Sequence, residues 1–191
     1  MRTAPTAIAA ALLAALTLTA CGGNDGGDAG DGGKTATASP SGDGKGAGSG
    51  SACVAAGAAF EVGPSSAAPA AGDEGAVPVT VTNKSGAPCT VKGLAHVELL
   101  AGGKSWPLAP QEGAAKDAEM TLAQGQSVTF TIAYVRGVAG DAQKSADVEK
   151  LSFSLPGEKK ANTYDWPDAE VAFQSGGTLD ATVGPFTPVG D

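Results

Sequence analysis

Acidic residues recur in close pairs along this chain: Asp73-Glu74, Asp117 with Glu119, Asp147 with Glu149, and Asp168 with Glu170. Side chains two residues apart on a strand share a face. The alternately spaced pairs are therefore the arrangement that can bind Ca²⁺ weakly or supply the two carboxylates of a glycosidase. The competing reading is a solvated acidic rim, the ordinary fate of scattered doublets. The single histidine, His96, has Leu94 and Glu98 on its own side and Val97 and Leu99 on the other, which turns it toward solvent or a sheet rim. Catalysis there would need a nucleophile and an orienting acid around the ring. No Gly-x-Ser-x-Gly, Ser-x-x-Lys or His-Glu-x-x-His occurs in the chain.

Copper carriers gather several Met and His side chains as ligands, and beyond residue 21 only Met120 and His96 offer any. The remaining recognition chemistry is aromatic. "SWPLAP" and "NTYDWPDAE" place Trp106, Tyr164 and Trp166 beside proline or polar residues. Exposed Trp and Tyr are enriched where proteins bind partners, which makes these three the candidate ligand contacts. A β-sandwich equally buries tryptophan between its sheets, so a core role is the alternative. These residues assign no catalytic group, no metal site and no cofactor.

The elements that position such residues are short and of period two, broken by Gly, Pro, Asn and Ser at intervals of about ten residues, as in an all-β sandwich or barrel. Val77, Val79 and Val81 alternate with Pro78, Thr80 and Thr82. Val128, Phe130, Ile132 and Tyr134 alternate with Thr129, Thr131 and Ala133. Each set sends one apolar face inward. Further strands are predicted over Ala58–Val62, Thr90–Leu100 with a break at Gly93, Ala118–Leu122, Leu151–Leu155, Ala169–Gln174 and Leu179–Val183. "NKSGAP" and "AQGQ" read as hairpin turns. Asn83-Lys84-Ser85 matches a glycosylation sequon, but the turn has a use for both polar side chains. Pro78 predicts an edge position or an early bulge. Residues 139–150 read as a crossover loop.

The chain has 191 residues, a formal net charge of −8 and a sequence pI near 4.5, with no basic cluster beyond Lys159-Lys160. That charge pattern lacks the footprint of a nucleic-acid binder. Arg2 supplies a short positive region, and Ala7–Leu18 an apolar run too short to span a bilayer, the layout of a secretory signal.

Leu18-Thr19-Ala20-Cys21 resembles the lipobox of bacterial lipoproteins. The resemblance implies removal of residues 1–20 as a lipoprotein signal peptide. It also implies a diacylglyceryl thioether on Cys21 with palmitate-type acylation of the new amino terminus, and therefore a membrane partner held through lipid on the outer face of the cytoplasmic membrane. Residues 21–52 then form a linker. Between Gly22 and Ser51 there is no Leu, Val, Ile or aromatic residue, so this stretch cannot repay the entropy of ordering and is predicted to be disordered. Residues 53–191 remain for the folded domain.

Within that domain, "VPVTVTNKSGAPCTVKGLAHVELL", "MTLAQGQSVTFTIAY" and "LSFSLPG" follow one another in an order that resembles the secreted actinobacterial lipoproteins carrying domain of unknown function 4232. The resemblance implies an immunoglobulin-like, Greek-key β-sandwich outside the cytoplasm and carries no assigned activity. Many such proteins have two further cysteines, one ahead of the "LSFSLP" strand and one near the carboxy terminus. Their joint absence here leaves Cys53 and Cys89 as partners in one disulfide, in keeping with an oxidising compartment. The resulting functional reading is an anchored binding or interaction module of the cell envelope, taking an envelope protein, peptide or polymer. A glycosidase-like envelope hydrolase using paired carboxylates, and a purely structural scaffold, are the alternatives.

Overall fold

A computed structural model of the protein describes residues 50–66 and 68–189. The signal peptide, Cys21 and most of the linker lie outside the described residues. In chain order the strands are β1 (Ser51–Ala52), β2 (Ala58–Val62), β3 (Glu74–Asn83), β4 (Cys89–Lys92) and β5 (His96–Ala101). Next come β6 (Lys104–Pro107), β7 (Ala109–Pro110), β8 (Glu119–Leu122), β9 (Ser127–Val135) and β10 (Ser145–Ala146). The last are β11 (Lys150–Ser154), β12 (Asn162–Asp165), β13 (Val171–Ala172), β14 (Ala181–Val183) and β15 (Thr187–Pro188). The one helical turn among the described residues is the 3-10 turn Ala55–Gly57, and no helix there is long and apolar enough to cross a membrane.

Two sheets form an all-β sandwich. One runs β2-β3-β9-β14-β7, with β15 also on β9, and the other runs β12-β11-β5-β6. β3 and β9 are neighbours though five strands separate them in sequence, as are β5 and β11, so the chain crosses between sheets in Greek-key fashion. The alternation of valines and aromatics builds the core directly. Val77 pairs Ile132, Val79 pairs Phe130 and Val81 pairs Val128, all buried. From the opposite sheet Val97, Leu99, Leu151 and Phe153 meet them, and Phe130 packs edge-on to Phe153 at 5.5 Å. Each such side chain contributes about 1.5–3 kcal/mol of burial.

A third sheet, β1-β4-β8, closes one end. Here Cys53 is bonded to Cys89, with Cα atoms 4.8 Å apart, as the sequence led us to expect. β1 runs parallel to β4, pairing Ser51 with Cys89.

Three local expectations are corrected. β3 is not an edge strand, because β2 and β9 flank it. Pro78 is tolerated because its carbonyl, accepting from Gly63 N–H at 2.9 Å, points to the end of β2, so the missing donor removes no β3–β9 bond. "NKSGAP" and "AQGQ" are not hairpins but corners that carry the chain from β3 to β4 and from β8 to β9, between different sheets. The true two-residue hairpin is β5–β6. Its loop, Gly102-Gly103, has φ of 53° and 76°, which a type I′ turn requires and glycine supplies without strain. The predicted strand over Ala169–Gln174 is ordered as a strand only at Val171–Ala172.

Candidate functional site

The candidate aromatic contacts do not converge. Tyr164 and Trp106 stand on β12 and β6, opposite margins of the four-stranded sheet, and both are half-buried. Tyr164 stacks on Phe153 at 5.5 Å, and Phe153 meets Phe60 of β2 at 5.2 Å, so that margin is lined by aromatic rings. Trp106 faces Phe173 at 6.0 Å across the other margin.

Trp166, a ligand-contact candidate on sequence grounds, belongs to the core instead, with 6% of its surface exposed. Its N–H bonds the Glu149 carbonyl at 3.0 Å and so prolongs the β11–β12 ladder by one step. Period two then sends Asn162, Tyr164 and Trp166 to the same inward side. The indole N–H is satisfied by the Ala169 carbonyl at 3.2 Å, and the ring meets Tyr134 edge-on at 5.2 Å.

Beside it is a polar cluster that sequence reading missed. The buried Tyr134 hydroxyl donates to Asp168, whose other oxygen lies 3.6 Å from the Arg136 guanidinium, and Arg136 donates to the Ala68 carbonyl at 2.6 Å. Asp168, one of the paired carboxylates proposed for catalysis or Ca²⁺, is thus engaged by two protein groups, and the cluster ties the loops of Ala68 and Asp168 to the end of β9. The signal available in the sequence was Gly75. It pairs with Tyr134, and a Cβ there would lie 2.4 Å from the phenol ring.

His96 is exposed as expected, its side chain 67% accessible. Glu98 accepts from Ser105 Oγ at 2.8 Å and lies 3.3 Å from His96 Nε2, beside a depression of about 370 Å³ that Ser152, Ser154 and Lys159 also line. The carboxylate rather than the imidazole is central. Ser105 therefore meets the carboxylate and not the imidazole, and the row can hydrogen-bond a polar ligand but lacks the Ser–His contact of an acyl-transfer triad.

Of the other acidic residues, Asp147 lines a depression of about 240 Å³ with Asp141 and Glu170. A hydrogen bond from Lys144, with one from the Gln143 N–H, holds the Asp141 carboxyl below its usual range. Among the described residues no three His, Cys, Asp or Glu side chains are grouped to hold a metal ion.

No curated protein and no solved structure matches the chain. The sequence model of one family does, that of the domain of unknown function DUF4232, over residues 53–187. This span opens at the disulfide cysteine and takes in both faces of the core, the Tyr134–Asp168 cluster and both aromatic margins, so the chain belongs to the DUF4232 family.

Proposed function

We propose that the protein is a lipid-anchored extracytoplasmic lipoprotein whose β-sandwich serves as a binding or interaction module of the cell envelope. The observation that carries this is the position of Cys21, preceded by Leu18-Thr19-Ala20 and followed by a stretch with no apolar side chain large enough to fold on. Two acyl chains at about 0.8 kcal/mol per buried methylene would hold such a protein on the membrane. The Cys53–Cys89 bond supports the same location, because such bonds persist in oxidising compartments. The role is binding rather than catalysis, directed at a protein, peptide or polymer of the envelope and not at nucleic acid. The accessible parts of Trp106 and Tyr164 are its aromatic contacts.

Detergent phase separation of cells producing the wild type or Cys21→Ala tests the anchor. Wild type is expected in the detergent phase with an acylated amino-terminal peptide, and Cys21→Ala in the aqueous phase. Equal partition of both into the aqueous phase refutes it.

A further inference from the structure

An open strand edge invites another strand, and proteins discourage this with short edges, prolines and charges. Most open edges among the described residues follow that rule. β6 carries Lys104 and Pro107, and β7 and β15 are two residues long with Pro110 and Pro188. β8 opens with Glu119, paired to Lys92, and β12 ends at Asp165 just before Trp166-Pro167. β2 is the longest of them and the least guarded: five residues, AAFEV, with Glu61 its one charge and no proline, lysine or bulge.

The backbone of β2 is only half used. Pairing with β3 extends from Gly57, whose carbonyl accepts from Lys84 N–H at 2.8 Å, to Gly63, whose N–H donates to Pro78 at 2.9 Å. Antiparallel alternation therefore turns residues 57, 59, 61 and 63 toward β3 and residues 58, 60 and 62 outward. Of the outward groups, the Ala58 N–H closes the 3-10 turn on Ala55. The N–H and carbonyl of Phe60 and Val62 and the Ala58 carbonyl have no partner among the described residues. Beneath them lie the half-buried rings of Phe60 and Tyr164, both packed on the buried Phe153.

We propose that β2 is a self-association edge, pairing antiparallel with β2 of a second copy about a two-fold axis through Phe60. The inference rests on the reading of the domain as an interaction module and names its partner; it does not require the anchor. In this register the two Phe60 residues exchange N–H and carbonyl bonds, and each Val62 N–H meets the Ala58 carbonyl of the other copy. Glu61, the only charged residue of the strand, stands opposite Ala59. Moving the axis to Glu61 sets the two carboxylates face to face and brings Pro64, which lacks an N–H, opposite Ala58. An axis at Ala59 runs Val62 against the 3-10 turn. The Phe60 register alone uses all three outward residues and keeps the charges apart, as an isologous contact must.

Sedimentation of full-length Cys21→Ala protein tests this, with a dimer as the expected species. Val62→Pro deletes an outward N–H without touching the β3 ladder, and its product is expected as a monomer with an unchanged disulfide. A Cys21→Ala protein that is monomeric at every accessible concentration overturns the proposal. Independently of that variant's folding, a mixture of Ala59→Cys and Glu61→Cys proteins is expected to form a linked dimer, because these positions face each other in a closely spaced pair, whereas either variant alone leaves its thiols too far apart. Failure of the mixture to link overturns the register. In cells producing both variants, linkage to a different protein overturns self-pairing while leaving the interaction module standing.

Discussion

The side-chain amide of Asn83 donates to the Leu122 carbonyl at 3.0 Å, joining the corner after β3 to the corner after β8. The same amide donates to the Ala87 carbonyl at 2.9 Å, its oxygen accepts from Ser85 N–H and Oγ, and its backbone bonds Gly125 and Gln126. Asn83 is 1% exposed, so the sequon asparagine serves the turn and is shielded from modification.

Asn83→Ala is expected to cost about 1–2 kcal/mol, since it removes the amide's bond to the Leu122 carbonyl and the acceptor of Ser85 N–H, while Leu122 keeps its ladder partner in β4 and Ser85 Oγ still serves Ala87. Asn83→Asp should cost at least as much despite its shape, because it sets an oxygen against that carbonyl. Urea unfolding checks both, and a loss below half a kcal/mol in each would refute the bracing role.

Breaking Cys53–Cys89, which spans a sequence separation of 36, should lower stability by about 4 kcal/mol through the freed entropy of the unfolded chain. Thermal unfolding of Cys53→Ser/Cys89→Ser protein beside the wild type measures it. An unchanged transition would contradict the estimate.

The two tryptophans should behave differently. Trp166→Ala is expected to cost about 3–5 kcal/mol, as core aromatic truncations do, and Trp106→Ala distinctly less because that ring is half-buried. Acrylamide quenching of single-tryptophan variants should reach Trp106 and largely spare Trp166. Equal quenching of both would overturn the assignment.

Gly75→Ala should destabilise the domain by about 1–3 kcal/mol or more, because its Cβ meets the Tyr134 ring, which Trp166 and Asp168 prevent from moving aside. Gly86→Ala, where added volume meets nothing, is the control. Comparable stability of the two variants would show that the ring yields.

The long alternating runs announce themselves in sequence. β3 and β9 each bury every second side chain, and Val, Phe and Ile at that period have one physical outcome. What period two does not encode is which strands are neighbours, so the corners at "NKSGAP" and "AQGQ" read as hairpins and Pro78 as an edge residue. β6 and β12 are four residues long, and their inward residues, Trp106 in one and Asn162 with Tyr164 in the other, sit among prolines and charges that mask the pattern. The Tyr134–Asp168–Arg136 cluster is assembled from residues 34 apart and closed by a loop carbonyl, and no local spacing carries that information.

The position of the disulfide also decides how the domain bears a pull. Tension applied at the amino-terminal end passes Ser51 and Ala52, reaches Cys53 and is handed covalently to Cys89 at the start of β4. Residues 54–88, with β2 and the long β3 at the heart of the core, lie inside the closed loop and outside the line of force to the carboxy-terminal half. A molecule tugged at that end would first lose the two-residue β1 and then load a covalent bond, while β2 and β3 stayed unstretched.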